Sequence, residues 1–207
     1  MTAADQALHE LDISNAELNE MINAQPSLRA VLLGHSARLK LKRLMSSYAT
    51  KVDEQDDHNR ARRGSITVHY RGCEIAVRCC SVQSGSIHHD RPASFQCDAS
   101  DKRPIELPNG NVVSTTCVLT NSFDIAAVSL FALTKKWDFA FIPSSKMRTL
   151  GSSSRSKLSA IDRGWLLATT HRIPFPIADP YTCNYTSLFD EIVDSQKKKK
   201  GKGKGKR

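Results

Sequence analysis

Tyr70-Arg-Gly-Cys-Glu-Ile-Ala-Val-Arg-Cys-Cys-Ser-Val-Gln-Ser84 follows directly on Ser65-Ile-Thr-Val-His-Tyr70, and how these two runs pair decides the fold. Both alternate at a period of two, as half-buried strands do, and Arg71-Gly72 between them is turn chemistry, so the pair is expected to form a β-hairpin. Successive strand side chains point to opposite faces. Ser65, Thr67 and His69 therefore share one face. In the second strand Glu74, Ala76, Arg78, Cys80 and Val82 share a face, and Ile75, Val77, Cys79 and Ser81 take the other.

Outward from the hairpin, the capping box Ser14-Asn15-Ala16-Glu17 opens a short helix over about 15–24 that Pro26 ends. Ser27 caps a second helix to about Tyr48, with Leu28, Val31, Leu32, Leu39 and Met45 at helical spacing and Arg38, Lys40, Lys42 and Arg43 in its second half. Residues 51–64 read as a polar loop, acidic and then basic. A second loop is expected over 84–92 and a short strand at Ala93 to Cys97. Pro108-Asn109-Gly110-Asn111 predicts a turn joining Ile105–Leu107 to the β-branched run Val112–Thr120. Ile125 to Phe131 is almost wholly apolar, as a strand buried on both faces would be, and Trp137 to Ile142 is its partner across Thr134-Lys135-Lys136. A helix is expected over 157–170, extended chain through Pro174, Pro176 and Pro180, and a last short helix over 187–194. The organisation expected is one α/β domain over 1–195, with helices at 15–48, a mixed sheet of five to seven strands at 65–142 and a helical region at 157–194. A disordered lysine and glycine tail is expected over 196–207.

The chain has 207 residues and a formal charge of +9, but Lys197 to Lys200, Lys202, Lys204, Lys206 and Arg207 supply eight of those charges. The remainder carries +1, so attraction to phosphate rests on the tail and on local clusters. No apolar run reaches the roughly 18 residues a membrane span needs, and Met1 to Gln6 has no signal-peptide pattern, so a cytoplasmic protein with no membrane partner is expected. Cysteines 73, 79, 80, 97, 117 and 183 follow no disulfide framework and are expected as reduced thiols.

The hairpin, with Asp56-Asp57-His58-Asn59-Arg60 and Gly64 before it and Gln96-Cys97-Asp98-Ala99-Ser100-Asp101 and Phe123-Asp124-Ile125 after it, resembles bacterial restriction-endonuclease-like proteins of the PD-(D/E)xK type. The resemblance covers about residues 26–142. It implies a mixed α/β sheet flanked by helices and a metal-dependent DNA-cleaving ancestry. It also implies Asp where this chain has Ser65, Glu-x-Lys where it has Arg78-Cys79-Cys80, and a further acid near Arg38 on the first core helix.

Such carboxylates hold a divalent cation that activates water and steadies phosphate charge. Arg78 does the opposite. A guanidinium about 4 Å from a doubly charged ion, at an effective dielectric of about 20, costs on the order of 8 kcal/mol. The expectation is a degenerate nuclease fold with no cofactor that keeps DNA or partner binding, through Arg60, Arg62, Arg63, Arg78 and Lys197, Lys198, Lys199 and Lys200.

The enzyme alternative is a Mg²⁺-dependent DNA endonuclease whose acids have moved to Asp98 and Asp101, with Gln83 and Glu106 nearby. A third class is an interaction protein without nucleic acid. Zinc on Cys73, Cys79, Cys80, His88, His89 and Cys97 is disfavoured by the absence of any Cys-x-x-Cys pair, and a Cys80 nucleophile with His69 is weaker than a packed thiol. Neither DNA sequence preference nor homodimerisation is legible here.

Overall fold

The computed structural model describes residues 8–54, 63–88, 91–151 and 158–203, except the side chains of 99–100 and 199–203. Its contacts divide the chain into two units, residues 1–36 and residues 37–207.

In the first unit, α1 spans Asn15–Ala24. Its capping box is formed as expected: the Glu17 N–H donates to Ser14 Oγ at 3.2 Å, and the Ser14 N–H donates to Glu17 Oε2 at 2.8 Å. The Ser14 hydroxyl, donating to Glu17 Oε2 at 2.7 Å, and then the Ser14 N–H hold the Glu17 carboxyl below its ordinary range. α2 begins at Pro26, whose fixed φ suits a first helical position, and runs to Ser46, with only Ala37, Leu41 and Met45 buried.

The second unit is built on a five-stranded mixed sheet. β1 (Lys51–Glu54), β2 (Ile66–Tyr70) and β3 (Cys73–Ser81) form an antiparallel meander, β7 (Ile125–Ser129) runs parallel to β3, and β8 (Phe139–Pro143) is antiparallel to β7. The hairpin is as expected. Tyr70 pairs with Cys73, and Arg71 and Gly72 take φ of 48° and 75°, the left-handed pair that a two-residue turn between twisted strands requires. β7 is buried at every position and pairs with β8 across α3 (Phe131–Thr134) and a left-handed Lys135. The alternation in β3 separates two cores. Ile75 and Val77 pack with Leu41 and Met45 of α2 and with Phe189 and Val193 of α5 (Tyr185–Gly203), while Ala76, Cys80 and Val82 pack with Phe95, Phe123 and Leu167.

Four further strands form two ribbons outside the main sheet. β5 (Asp98–Glu106) pairs with β6 (Val112–Cys117) across the expected Asn109-Gly110 turn, and β4 (Ala93–Gln96) pairs with β9 (Thr170–Ile173).

Elsewhere the structure corrects the sequence reading. Residues 51–54, expected as loop, are β1, an edge strand paired on one side only, with Lys51 and Glu54 exposed. The helix expected over 157–170 is the five-residue α4 (Ala160–Gly164). The chain then turns extended, so that Leu166 bridges to Leu119 and Leu167 to Thr149. Both leucines are fully buried, in different core clusters, which strand alternation allows and a helix does not.

The last helix does not stop at Asp194. It continues to Gly203, where the sequence suggested a structureless tail from 196. Gln196 Nε2 donates to the Glu74 carbonyl at 3.1 Å, fastening the helix to β3 at the residue where order was expected to end. Among the described residues no helix is long and apolar enough to cross a membrane.

Candidate functional site

Arg78, the residue that most alters the expected chemistry, lies in β3 with β2 on one side and β7 on the other. Its Nη2 donates to the backbone carbonyl of Asp98, at the start of β5. Continuing the β2–β3 register one step beyond the Ile66–Val77 rung sets Ser65 opposite Arg78, and cross-strand partners share a face. Ser65 is already engaged: its N–H donates to the Val77 carbonyl at 2.8 Å, and its Oγ accepts from the Cys79 N–H at 3.4 Å. Cys80 is buried on the same face as Arg78 and hydrogen-bonds Cys97. That bond, reinforced by burial, drives the Cys97 thiol far above its ordinary value. The face thus presents a guanidinium, a hydroxyl and a thiol.

Arg38 lies on the opposite side of β3. Its helix packs Leu41 and Met45 against Val77 and Cys79, and its Nη1 stands 4.0 Å from Glu54 Oε1. Burial pushes the Cys79 thiol up to about 12, with Arg38 and Arg78 both pulling the other way. The structure therefore brings Ser65, Arg78 and Cys80 to one face and leaves Arg38 on the other.

The chain leading into β2 crosses close against β3. Gly64 has φ of +71°, and a Cβ there would lie 2.7 Å from the Val77 carbonyl oxygen, so only glycine fits. Its N–H donates to the Ser122 carbonyl at 3.0 Å. Beside it the Arg63 guanidinium donates to the Asn121 carbonyl at 3.0 Å and to Asp124 Oδ1 at 2.8 Å. The other Asp124 oxygen accepts the Ala76 N–H at 2.8 Å, while the Asp124 N–H donates to the Ala76 carbonyl at 2.8 Å. Asp124 thus clamps the start of β7 to β3 and is the ion-pair partner of Arg63. Both its oxygens are engaged.

The residues considered as relocated acids do not gather. Gln83 Oε1 accepts from Ser94 Oγ at 3.3 Å, joining the end of β3 to β4. Asp98 is half-buried at the Cys117 rung of β5, Asp101 is exposed in the irregular stretch before Arg103, and Glu106 is exposed opposite Val112. Among the described residues no three His, Cys, Asp or Glu side chains converge into a set that could hold a metal ion; His89, one of the zinc candidates, lies outside the described residues.

Of the basic residues expected at DNA, Arg60 and Arg62 lie outside the described residues. Arg63 is half exposed while paired to Asp124, and Lys197 and Lys198 are exposed on α5. The backbone of Lys199 and Lys200 continues the same helix.

One polar cluster escaped the sequence reading because residues 51–54 read as loop. Asp53 Oδ2 takes Lys51 Nζ at 2.8 Å and faces His69 Nε2 at 3.0 Å, and His69 Nδ1 lies 3.9 Å from Glu74 Oε1. The Lys51 bond, with help from His69, holds the Asp53 carboxyl below its ordinary range. The signal was the Lys-x-Asp alternation of an edge strand beside a strand carrying His69.

Comparison with known proteins adds one likeness. Among solved structures, the bacterial homing endonuclease I-Ssp6803I aligns over 80% of this chain and 93% of its own, with 12% sequence identity and a TM-score of 0.42. No protein-family model and no curated protein matches the chain.

Proposed function

We propose that this chain is a DNA-binding protein of restriction-endonuclease-like descent that no longer carries out metal-dependent phosphodiester hydrolysis. The observation that carries the reading is Arg78: a permanently charged group stands on the central strand where a metal-holding acid is expected, with the hydroxyl of Ser65 across from it. Asp124, which clamps the start of β7 to β3, has both oxygens committed to Ala76 and Arg63. A cation placed there would meet a guanidinium first. Binding is assigned to phosphate contacts by the lysines at the end of α5 and the basic residues that follow, with Arg63 and Arg78 nearer the sheet.

Duplex binding measured against salt tests this. Removing residues 197–207 deletes eight positive charges, and at about 0.9 per neutralised phosphate the slope of log affinity against log salt should flatten by up to about 7. An unchanged slope would remove the tail from the interface. Supercoiled plasmid should stay intact in Mg²⁺ or Mn²⁺. Cutting abolished by Asp98→Asn or Asp101→Asn would establish the enzyme instead.

A further inference from the structure

The β4–β9 ribbon ends at a cleft. Ala93 opposite Ile173 is its last rung, and each strand meets a proline there, Pro92 and Pro174, neither of which has an N–H to extend the ladder. Continuing the register two steps sets Arg91 across from Phe175. Both line an open cleft of about 500 Å³, within the range of small-molecule sites.

Its walls are Ile87, Pro92, Leu133 and Pro174, and Phe175 is 55% exposed at its edge. His88 and Arg91 are the polar groups, and no carboxylate occurs among the described lining residues. A broad apolar wall, an aromatic face open to solvent and a fixed cation match a flat aromatic group joined to an anion.

We propose that this cleft takes a single unpaired nucleotide, its base stacked on Phe175 and its phosphate held by Arg91 and His88. The inference rests on the nucleic-acid reading above and specifies what that reading leaves out. A base inside a duplex has both faces covered by its neighbours and cannot enter a concave site, so the cleft selects single strands or extruded bases. Every base has a π-face, so Phe175 imposes little sequence preference. A free nucleoside monophosphate presents the same chemistry, and the test separates the two sources.

The full chain is titrated with a labelled oligothymidylate, a labelled duplex of equal length, and dTMP followed by calorimetry. Phe175→Ala should weaken oligothymidylate binding by about five- to 150-fold, the range for loss of one base stack, and leave duplex affinity unchanged. Phe175→Tyr should restore it, and Phe175→Leu, which keeps the bulk without the π-face, should not. Arg91→Ala should reduce the salt slope on the single strand by about 0.7, one phosphate contact.

Single-strand affinity within twofold of the parent in Phe175→Leu and Arg91→Ala overturns the proposal, even if Phe175→Ala fails to fold. Duplex binding with no Phe175-dependent single-strand or dTMP binding refutes the cleft and leaves the general function standing. Phe175-dependent dTMP binding with no affinity for either DNA keeps the cleft's chemistry, identifies free nucleotide as its source, and refutes the DNA reading.

Discussion

Replacing Gly64 by alanine tests whether the segment entering β2 is locked against β3. Two costs add. Alanine at φ +71° carries the left-handed penalty of about 1–2 kcal/mol. Its Cβ would also stand 2.7 Å from the Val77 oxygen and 3.0 Å from the Val77 nitrogen and carbonyl carbon. Those are backbone atoms of a strand paired on both sides, so residue 64 must move instead. Moving it strains the Gly64–Ser122 and Ser65–Val77 hydrogen bonds, each worth about 0.5–1.5 kcal/mol net. The expected loss is about 2–5 kcal/mol, a large share of a typical stability of about 5–15 kcal/mol.

Gly72→Ala is the control. It shares the left-handed backbone at φ +75° but has nothing within 4 Å of the added carbon, so it should lose only about 1–2 kcal/mol. Urea unfolding reads both. With a slope of about 2 kcal/mol/M, Gly64→Ala should fall by about 1–2.5 M in midpoint and Gly72→Ala by about 0.5–1 M. Equal shifts would refute the close crossing of β3.

Asp124→Ala should destabilise by about 2–4 kcal/mol in the same assay, because it strands the Ala76 N–H and removes a charge-assisted bond, whereas Arg63→Ala, at a half-exposed guanidinium, should cost about 1 kcal/mol or less. Burial lowers the His171 imidazole below its ordinary value, so its neutral form belongs to the folded state and stability should decline as pH falls below about 6.5. Hydrogen bonds from Asn109, Ser159 and Asn111 hold the Asp162 carboxyl down, so its contribution is complete above about pH 4 and is lost as pH falls through its lowered value. Unfolding midpoints across pH should therefore show two acid limbs, the upper removed by His171→Leu and the lower by Asp162→Asn. Iodoacetamide should label the exposed Cys183 first, with Cys79 and Cys97 protected by burial and raised thiol pKa, as peptide mass mapping would show.

Much of the architecture was legible because its signals are local. Ser65 to Ser84 alternates and turns at Arg71-Gly72, Asn109-Gly110 closes a hairpin, and the apolar run after Asp124 needs no distant partner to read as a buried strand. Alternation alone separated Arg78 and Cys80 from Cys79, and chain chemistry alone placed a cation and a hydroxyl where acids were expected.

What the sequence left undecided is held across long separations. Arg63 meets Asp124 61 positions later, Ala76 reaches the same carboxylate over 48, and Gln196 ties the last helix to Glu74 over 122. No window of neighbouring residues contains those partners. The helix-like spacing around Leu166 and Leu167 lost to two cores that each required one leucine, and polar residues 51–54 became a strand because β2 offered an unpaired edge. Only the packing of distant segments placed Arg38 on the opposite side of β3 from Arg78 and brought Arg91 and Phe175 to one cleft.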